Sequence, residues 1–257
     1  MEGNGPLNAR QHRILDYINR NGSAQIKELN TVHEVSEATI RRDFDDLARM
    51  GLIERVHGGA VRVNSTTFER AHSEKMTLML SEKMRIAAYA ASLVENCDSI
   101  FLDSGTTTYF IARELYQHQD LTIVTNNLDI AQSVQFDPTT SLIVTGGMRR
   151  EAYSVLIGSL AEQSIRDFCV DKAFMGCDAI DPAAGVYNTN FLEVGVKRRI
   201  VKCGKKTILA TDSSKFYRKA LAKVCDLAEI DMIITDDGLE NEIAQEIKKS
   251  IPNTICV

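Results

Sequence analysis

The chain has 257 residues, of which 44% are hydrophobic and 25% are charged, and its formal net charge is −5 at pH 7. This length and composition are typical of a globular protein with one large or two smaller domains, and they exclude a chain that is basic throughout. The sequence has no run of 18 apolar residues, which excludes a membrane-spanning helix, and its N-terminus has no signal-peptide core, so we expect a cytoplasmic protein.

Three helices are predicted in the N-terminal part of the chain. Asn8 is a suitable N-cap for the first helix, and Asn21 and Gly22 are expected to end it because both residues tolerate the left-handed conformation. A second, shorter helix is predicted to open near Ser23, and a third begins at Ser36 after a short turn. This order is that of a helix-turn-helix motif, in which the later helix occupies the major groove of DNA.

The third helix has two distinct faces. Ile40, Phe44 and Leu47 recur at i, i+4 and i+7, so they form one buried stripe. The opposite face carries the charged residues Glu37, Arg41, Arg42 and Asp45. Arginine binds guanine bidentately or clamps a phosphate, which suits this face to DNA. The alternative is a solvated face on which Arg41 and Asp45 form an i,i+4 ion pair that contributes only about 0.2–0.5 kcal/mol.

A short hairpin is predicted after this helix, which Gly51 is expected to end. Residues 52–56 alternate in polarity like a strand, residues 57–60 form a tight glycine turn, and residues 61–63 pair back as a second strand. Three helices followed by a hairpin make a winged helix-turn-helix. The wing side chains that are placed to reach phosphates are Arg55, His57 and Arg62.

These residues resemble a known family. The motifs VS at 35–36, TIRRD at 39–43, Gly51 and HGGA at 57–60 are similar to the signature of DeoR-type bacterial regulators of sugar metabolism. Phe44 stands where the family pattern has leucine, a change on the buried stripe. The resemblance implies a winged helix-turn-helix DNA-binding domain over residues 1–63, with the helix-turn-helix proper near residues 24–43. The residues it assigns to DNA are Ser36, Glu37, Thr39, Arg41, Arg42, Arg55, His57, Gly58 and Gly59.

An α/β domain is predicted for the rest of the chain. Residues 64–80 open with small polar side chains, so we expect a linker that runs into a helix, with the second domain spanning residues 81–257. Strands are predicted at residues 99–103, 121–125, 142–145, 172–176, 207–211 and 232–235. Helices are predicted at residues 107–118, 127–135, 158–168, 191–204 and 239–250. This alternation predicts a mostly parallel sheet.

Polar residues follow most of these predicted strands, at the sheet edge where ligands bind in such domains. The first strand ends in DSGTTT at residues 103–108, and a glycine with hydroxyls at a helix N-terminus is a cradle for an anion. The other strands end in residues 125–127, 146–147, 176–178, 212–216 and 235–238. Each turn alone is consistent with ordinary helix capping. Together they indicate a polar ligand with a phosphate and several hydroxyls, such as a sugar phosphate.

The same turns, with Glu193 and Lys197, resemble the C-terminal effector domain of DeoR-type regulators, so the resemblance covers about residues 7–257. It implies a fold similar to ribose-5-phosphate isomerase and the CoA-transferase-like group, and a phosphorylated sugar as effector. The phosphate loop that it implies consists of Asp103, Ser104, Gly105, Thr106 and Thr107. The residues that it places around the sugar are Asn126, Gly147, Asp178, Lys197 and Lys215.

The favoured function is a transcriptional regulator, most simply a repressor that a phosphorylated sugar releases from operator DNA. Helix-turn-helix proteins usually read two half-sites, so we expect a homodimer or homotetramer. The alternative is an aldose–ketose phosphate isomerase, for which Lys215, Asp103, Asp178 and Glu193 supply acid–base groups. A third possibility is a constitutive DNA-binding oligomer whose pocket is vestigial.

Six cysteines are present, at positions without the spacing of a zinc site or a dense disulfide framework. They are Cys97, Cys169, Cys177, Cys203, Cys225 and Cys256. We expect them to be buried as small hydrophobic residues. We also expect no metal, no cofactor and no catalytic residue.

Overall fold

The computed structural model describes residues 7–50, 52–62, 66, 69–150 and 153–257. The chain divides into two compact units, Met1–Ser65 and Thr66–Val257. Within the described ranges, no helix is both long enough and apolar enough to cross a membrane. The predicted helix stop at Gly51, the wing residue Val63 and parts of the predicted linker lie outside the described residues.

Three helices form the core of the first unit: α1 (Ala9–Asn21), α2 (Ile26–His33) and α3 (Glu37–Arg49). The Asn8 side chain caps α1, and Gly22 ends it with a φ of 81°. The Ser36 hydroxyl accepts the Thr39 N–H at 3.2 Å and caps α3. The predicted stripe of α3 is confirmed, since Ile40, Phe44 and Leu47 are fully buried. Burial of this stripe against α1 and α2 fixes which face of α3 is left outside.

The wing is a three-stranded antiparallel sheet built from β1 (Ser23–Gln25), β2 (Ile53–Val56) and β3 (Gly59–Arg62), with β3 in the middle. The prediction that a helix opens near Ser23 is wrong, because residues 23–25 pair with β3 and α2 starts only at Ile26. The two hairpin strands confirm the predicted wing. The extra strand depends on partners far along the chain, which local sequence preference does not encode.

The second unit contains twelve strands among the described residues, counting both its main sheet and its small sheets. They are β4 (Ser99–Leu102), β5 (Thr122–Thr125), β6 (Ser141–Val144), β7 (Met148–Arg150), β8 (Val155–Ile157), β9 (Val170–Met175), β10 (Ala179–Asp181), β11 (Gly185–Asn188), β12 (Gly204–Ala210), β13 (Ala222–Cys225), β14 (Met232–Thr235) and β15 (Thr254–Cys256). Seven strands form one parallel sheet in the order β15-β14-β12-β9-β4-β5-β6. The predicted α/β class with a mostly parallel sheet is therefore confirmed.

Helices cover both faces of this sheet. They are α4 (His72–Thr77), α5 (Leu80–Ala91), α6 (Thr106–Glu114), α7 (Leu128–Ser133), α8 (Ser159–Arg166), α9 (Phe191–Cys203) and α10 (Asn241–Ser250). Successive strand residues point to opposite faces, so Phe101 packs in the cluster of α8, α9 and α10. Its neighbours Ile100 and Leu102 pack in the cluster of α5 and α6. A sheet covered on both sides explains why its strands read as continuous apolar runs.

Two small antiparallel sheets and one edge strand were not predicted. The small sheets are the β7–β8 hairpin and the β10-β11-β13 sheet, and the edge strand is β15. The predicted linker at residues 64–80, which we expected to run into a helix, overlaps the second unit. Thr66 belongs to the second unit, where its carbonyl accepts the Leu221 N–H at 3.0 Å, and α4 occupies much of the rest of the segment.

The expectation that the cysteines are buried is wrong for three of them. Cys203 and Cys225 are buried and Cys177 is half-buried, whereas Cys97, Cys169 and Cys256 are exposed. Cys97 and Cys169 lie just before β4 and β9, and Cys256 lies on the edge strand β15, where apolar neighbours in sequence do not imply burial. All six thiols are free.

Candidate DNA-contacting surface and ligand pocket

The outer face of α3 carries Arg41 and Arg42, both exposed. Arg41 and Asp45, which the alternative reading of this face pairs with each other, have other partners. Arg41 Nη2 lies 3.1 Å from Glu37 Oε2, one turn earlier on the helix, and Asp45 Oδ1 lies 3.5 Å from Arg55 Nε on β2. The exposed pair with Glu37 holds Arg41 only loosely, because such contacts contribute about 0.2–1 kcal/mol. The basic face therefore stays available to a phosphate or a base edge.

Asp43, next to Arg42 in sequence, points the other way. It is 3% exposed, and its two carboxylate oxygens lie 2.6 Å from Nε and 3.1 Å from Nη2 of Arg10 on α1. The hydrogen bond to Asp43 raises the pKa of the Arg10 guanidinium. This bidentate pair fixes α1 to α3 and so sets the position of the outer face. Sequence reasoning used Asp43 only as part of the family motif.

The predicted wing residues divide into two groups. His57 and Gly58 lie at the exposed turn, and Gly58 has a φ of 76°. Gly59 is buried in the sheet, where an added Cβ would lie 2.4 Å from the Ala24 carbonyl oxygen. Arg55 is half-buried, with its guanidinium carbon 5.3 Å from the centre of the Phe44 ring. Gly59 and Arg55 thus have clear packing roles, and contact of the predicted residues with DNA stays a prediction.

In the second unit, the predicted phosphate loop leads from β4 into α6. The Thr108 hydroxyl donates to the carbonyls of Asp103 at 2.6 Å and Gly105 at 2.7 Å, which shapes the turn. Ser104 is half-buried, whereas Thr106 and Thr107 are buried in the first turn of α6. The free N–H groups of such a turn and the helix dipole favour an anion.

Asp103 and Lys197 form a buried ion pair beneath this loop. The Lys197 ammonium donates to Asp103 Oδ2 and, at 3.0 Å, to the Gly176 carbonyl. The same carboxylate oxygen accepts the Gly176 N–H at 3.0 Å. Burial opposes the lysine charge, but Asp103 and Glu193 outweigh it and raise the pKa of Lys197. The pair therefore links the C-terminal ends of β4 and β9 on the buried side of the loop.

An ion network lies beside the loop and joins five residues of alternating charge: Asp178, Lys75, Glu69, Arg150 and Glu193. Lys75 Nζ is 3.1 Å from both Asp178 Oδ1 and Glu69 Oε1. Arg150 binds both Glu69 oxygens through its two Nη atoms and lies 2.5 Å from Glu193 Oε1. Burial opposes ionisation of Asp178, but Lys75 and Lys215 hold its pKa below the ordinary value.

Sequence reasoning singled out Asp178 and Glu193 in this network and missed Glu69, Lys75 and Arg150. Glu69 and Lys75 lie in the segment expected to be a linker, and Arg150 lies on the unpredicted hairpin strand β7. Their partners are up to 103 residues away in the chain. No local signal in the sequence marks them.

Asn126 and Gly147 follow β5 and β6 at the same edge. Asn126 Nδ2 donates to the Leu156 carbonyl at 3.2 Å, while its Oδ1 is buried and has no hydrogen-bond partner among the described residues. Gly147 has a φ of 134°, and an added Cβ would lie 2.7 Å from the Ile157 carbonyl oxygen. The glycine is therefore required by the β7–β8 hairpin, whereas Asn126 offers a free acceptor.

Lys215 lies in the turn after β12, next to β9 in the sheet. Asp212 caps this turn by accepting the Ser214 N–H at 3.2 Å, and Asp236 after β14 accepts the Ser213 N–H at 2.6 Å. Burial opposes ionisation of Asp212, but Lys215 and Lys83 lower its pKa. The structure thus brings the predicted effector residues to the carboxyl edge of one sheet. Their contact with a ligand stays a prediction.

A winged helix-turn-helix unit joined to an α/β unit with a polar, charge-lined sheet edge defines a ligand-responsive DNA-binding regulator. Two family models match the chain: the DeoR-like helix-turn-helix domain over residues 10–66 and the DeoR C terminal sensor domain over residues 79–237. The chain belongs to the DeoR family of transcriptional regulators.

Relatives match along almost the whole chain. A putative aga operon transcriptional repressor from Escherichia coli is 35% identical over 250 residues, which cover 96% of this chain and 93% of that protein. A glycerol-3-phosphate regulon repressor from Haemophilus influenzae is 32% identical over 245 residues, covering 94% and 95%. Among solved structures, ribose 5 phosphate isomerase A from Neisseria gonorrhoeae matches 52% of each chain with 16% identity and a TM-score of 0.36.

Proposed function

We propose that this regulator represses a sugar or polyol utilisation operon and leaves its operator when a phosphorylated sugar binds the second unit. The observation that carries the proposal is the joining of two features in one chain. The first is the basic outer face of α3, and the second is a sheet edge that gathers an anion cradle, a lysine and hydrogen-bonding groups. The names of the relatives, repressors of the aga operon and of a glycerol-3-phosphate regulon, support the same reading.

The effector's phosphate binds the turn formed by residues 103–107, at the N-terminus of α6, with Lys215 as its counter-charge. This placement follows from the free N–H groups of the turn, because a helix N-terminus attracts an anion. The sugar hydroxyls bind along the edge, where the unpartnered Asn126 Oδ1 accepts a hydrogen bond. Lys197 supports the turn and does not contact the effector directly, since its ammonium is bound by Asp103 and by the Gly176 carbonyl.

Operator DNA binds the first unit, with α3 in the major groove and the wing turn at His57 and Gly58 near the backbone. Arg41 and Arg42 contact bases or phosphates from the exposed face of α3. Two copies of the chain read two half-sites about 34 Å apart, or a multiple of that distance, which requires at least a homodimer.

The carboxylates considered for an isomerase are committed to structural partners, which supports a regulator that is not an enzyme. Asp103 is bound by Lys197 and by the Gly176 N–H, and Asp178 by Lys75 and by the Thr189 N–H. Glu193 accepts from Arg150 and Asn188. A general base needs a carboxylate within reach of the substrate proton, and these pairs oppose that role.

The DNA-binding half of the proposal is tested with an operator fragment selected by the full chain from random-sequence DNA. Arg42→Ala should weaken binding at fixed salt by about 1–3 kcal/mol and relax base preference at one position. Arg49→Ala is the matched control, because Arg49 is also exposed on α3 but pairs with Asp46 of its own helix. Equal affinities of the two variants would contradict the assignment of the outer face.

The effector half is tested by release of the same fragment. A panel of phosphorylated sugars and polyols should contain a compound that raises the melting temperature of the full chain and lowers its operator affinity. Lys215→Ala should retain operator binding and lose the response to that compound. If the effector releases Lys215→Ala from the operator fragment at the same concentration as the unchanged chain, Lys215 does not belong to the effector pocket.

A further inference from the structure

The segment of residues 69–78, near the start of the second unit, lies against the rest of that unit, which we call the sensor unit. The Tyr153 hydroxyl donates to the Arg70 carbonyl at 2.7 Å, and the Lys83 ammonium donates to the Leu78 carbonyl at 2.7 Å and to the Lys75 carbonyl. We call this segment the strap. Every one of these contacts is made by a side chain of the sensor unit to a backbone carbonyl of the strap.

Two strap side chains enter the ion network beside the phosphate loop. Glu69 is only 11% exposed at its side chain and binds Arg150 through both carboxylate oxygens. Lys75, 21% exposed, bridges Glu69 and Asp178. The Arg150 guanidinium lies over the Tyr153 ring, with its carbon 3.9 Å from the ring centre. The strap thus supplies an anion to a cation that the sensor unit presents in a fixed orientation.

The charge of this network is unfavourable for an anionic ligand as it stands. Its three carboxylates outnumber its two cations, and all five side chains are at least mostly buried. Charges in such surroundings interact strongly because water screens them little. The network also continues into the phosphate loop, since Glu193 lies one turn before Lys197 on α9 and Lys197 binds Asp103.

We propose that Glu69 holds the place on Arg150 that the effector's phosphate takes as it binds the neighbouring turn of residues 103–107, so that effector binding displaces Glu69 and loosens the strap. A carboxylate and a phosphate present the same pair of oxygens to a guanidinium, so one can replace the other on Arg150. The exchange leaves Arg150 paired, and Lys75 keeps its partner Asp178, so neither cation becomes a buried unpaired charge. This inference rests on the proposed function, namely that the sensor unit binds a phosphorylated compound.

Release of the strap reaches the DNA-binding unit through the covalent chain. The first unit ends at Ser65 and Glu69 follows four residues later, so the strap belongs to the second unit and begins close to the junction between the two units. A ligand that competes with Glu69 therefore changes the restraint on the chain next to that junction. The coupling needs no conformational change passed through the sheet.

Glu69→Gln is the decisive variant, because it keeps the size of the side chain and removes its charge. Glu74→Gln is the matched control, since Glu74 lies on the same strap but is 56% exposed and 3.7 Å from Arg70. The probes are inorganic phosphate, glycerol 3-phosphate and a set of hexose and hexosamine 6-phosphates. The two readouts, on the full chain, are the dissociation constant of each probe and the rate of amide hydrogen exchange over residues 69–78.

The expected result has two parts. A phosphorylated probe binds Glu69→Gln at least about fivefold more tightly than it binds the unchanged chain or Glu74→Gln. The same probe speeds exchange over the strap of the unchanged chain, and Glu69→Gln shows that faster exchange without a probe. Glu69→Asp keeps the charge, but its side chain is too short to reach both Nη atoms of Arg150. It should therefore bind the probe with an affinity between those of the unchanged chain and Glu69→Gln.

Two different results overturn the inference, and they are distinguishable. If a probe binds all proteins with unchanged affinity and does not speed exchange over the strap, Glu69 is only structural and the proposed function stands. If no probe binds any of the proteins while all of them still bind operator DNA, the proposed effector role fails, and the displacement of Glu69 fails with it.

Discussion

Replacing Lys197 with methionine tests the buried ion pair that joins the ends of β4 and β9. The side chains of Lys197 and Asp103 are 4% and 0% exposed, so the substitution leaves a carboxylate that water cannot reach. Removing one member of a buried pair typically costs about 3–5 kcal/mol. Methionine has nearly the length of lysine, so the loss reports the missing charge rather than an empty space.

The structure places the expected loss near the lower end of that range. Asp103 keeps two donors, the Gly176 N–H at 3.0 Å and the Ser104 hydroxyl at 3.3 Å, which still stabilise its charge. We therefore expect Lys197→Met to lower the free energy of unfolding by about 3 kcal/mol. In a unit of this size each kcal/mol lowers the melting temperature by about 2–4 °C, so the expected fall is roughly 6–12 °C.

Calorimetry of the full chain at pH 7 measures this fall, and a double variant identifies its cause. Asp103→Asn keeps an acceptor for the Gly176 N–H, so adding it to Lys197→Met removes the isolated charge without losing that hydrogen bond. The double variant should then be more stable than the sum of the two single losses predicts. Strictly additive losses, or a loss of less than about 0.5 kcal/mol in the free energy of unfolding of Lys197→Met alone, would show that the ion pair does not stabilise the fold.

Three further predictions concern other parts of the chain. Gly59→Ala should destabilise the wing by about 1–3 kcal/mol, because its Cβ would lie 2.4 Å from the Ala24 carbonyl oxygen. Amide hydrogen exchange over residues 53–62 should then be faster, and unchanged rates would contradict this packing. Asp43→Asn should cost about 1–3 kcal/mol by weakening the bidentate pair with Arg10, measured by urea unfolding, whereas Glu37→Gln on the exposed face should cost under about 0.5 kcal/mol. Because the pKa of Asp178 is depressed in the folded state, its ion pairs stabilise the fold above pH about 4 and this stabilisation is lost as the pH falls below that value. Asp178→Asn should therefore lose less stability than the unchanged chain as the pH falls below about 4, measured by melting temperature. An equally steep loss in both proteins would exclude Asp178 as its source.

The main sheet and its helices were predictable because each strand is a short apolar run between amphipathic helices. β14 and the C-terminal halves of β12 and β9 are buried on both faces, and such strands are recognised from their apolar composition. The strand β1 was not predictable, because its three residues, Ser23–Gln25, form a strand only by pairing with residues 59–61 of β3. Pairing over such a distance depends on the folded wing rather than on local preference.

The candidate pocket was predictable where its residues follow strands, and not where they come from elsewhere. Asp103, Asn126, Asp178 and Lys215 stand at strand ends, so the parallel sheet itself gathers them. From the sequence, Glu69 is indistinguishable from an ordinary solvent-exposed acidic residue. The structure shows that it pairs with the half-buried Arg150, 81 residues away in the chain. The sequence likewise did not separate Arg55, which packs on Phe44, from the outward arginines of α3.

The opposite orientation of Arg42 and Asp43 has a consequence for redesign. Exchanging the whole of α3 between two regulators would carry in a carboxylate whose arginine partner lies on α1, and would separate the clamp from its anchor. Exchanging only outward positions such as Thr39, Arg41 and Arg42 would leave that clamp and the apolar stripe in place. Under the proposed DNA contacts, operator choice is therefore changed by exchanging single surface positions rather than the whole helix.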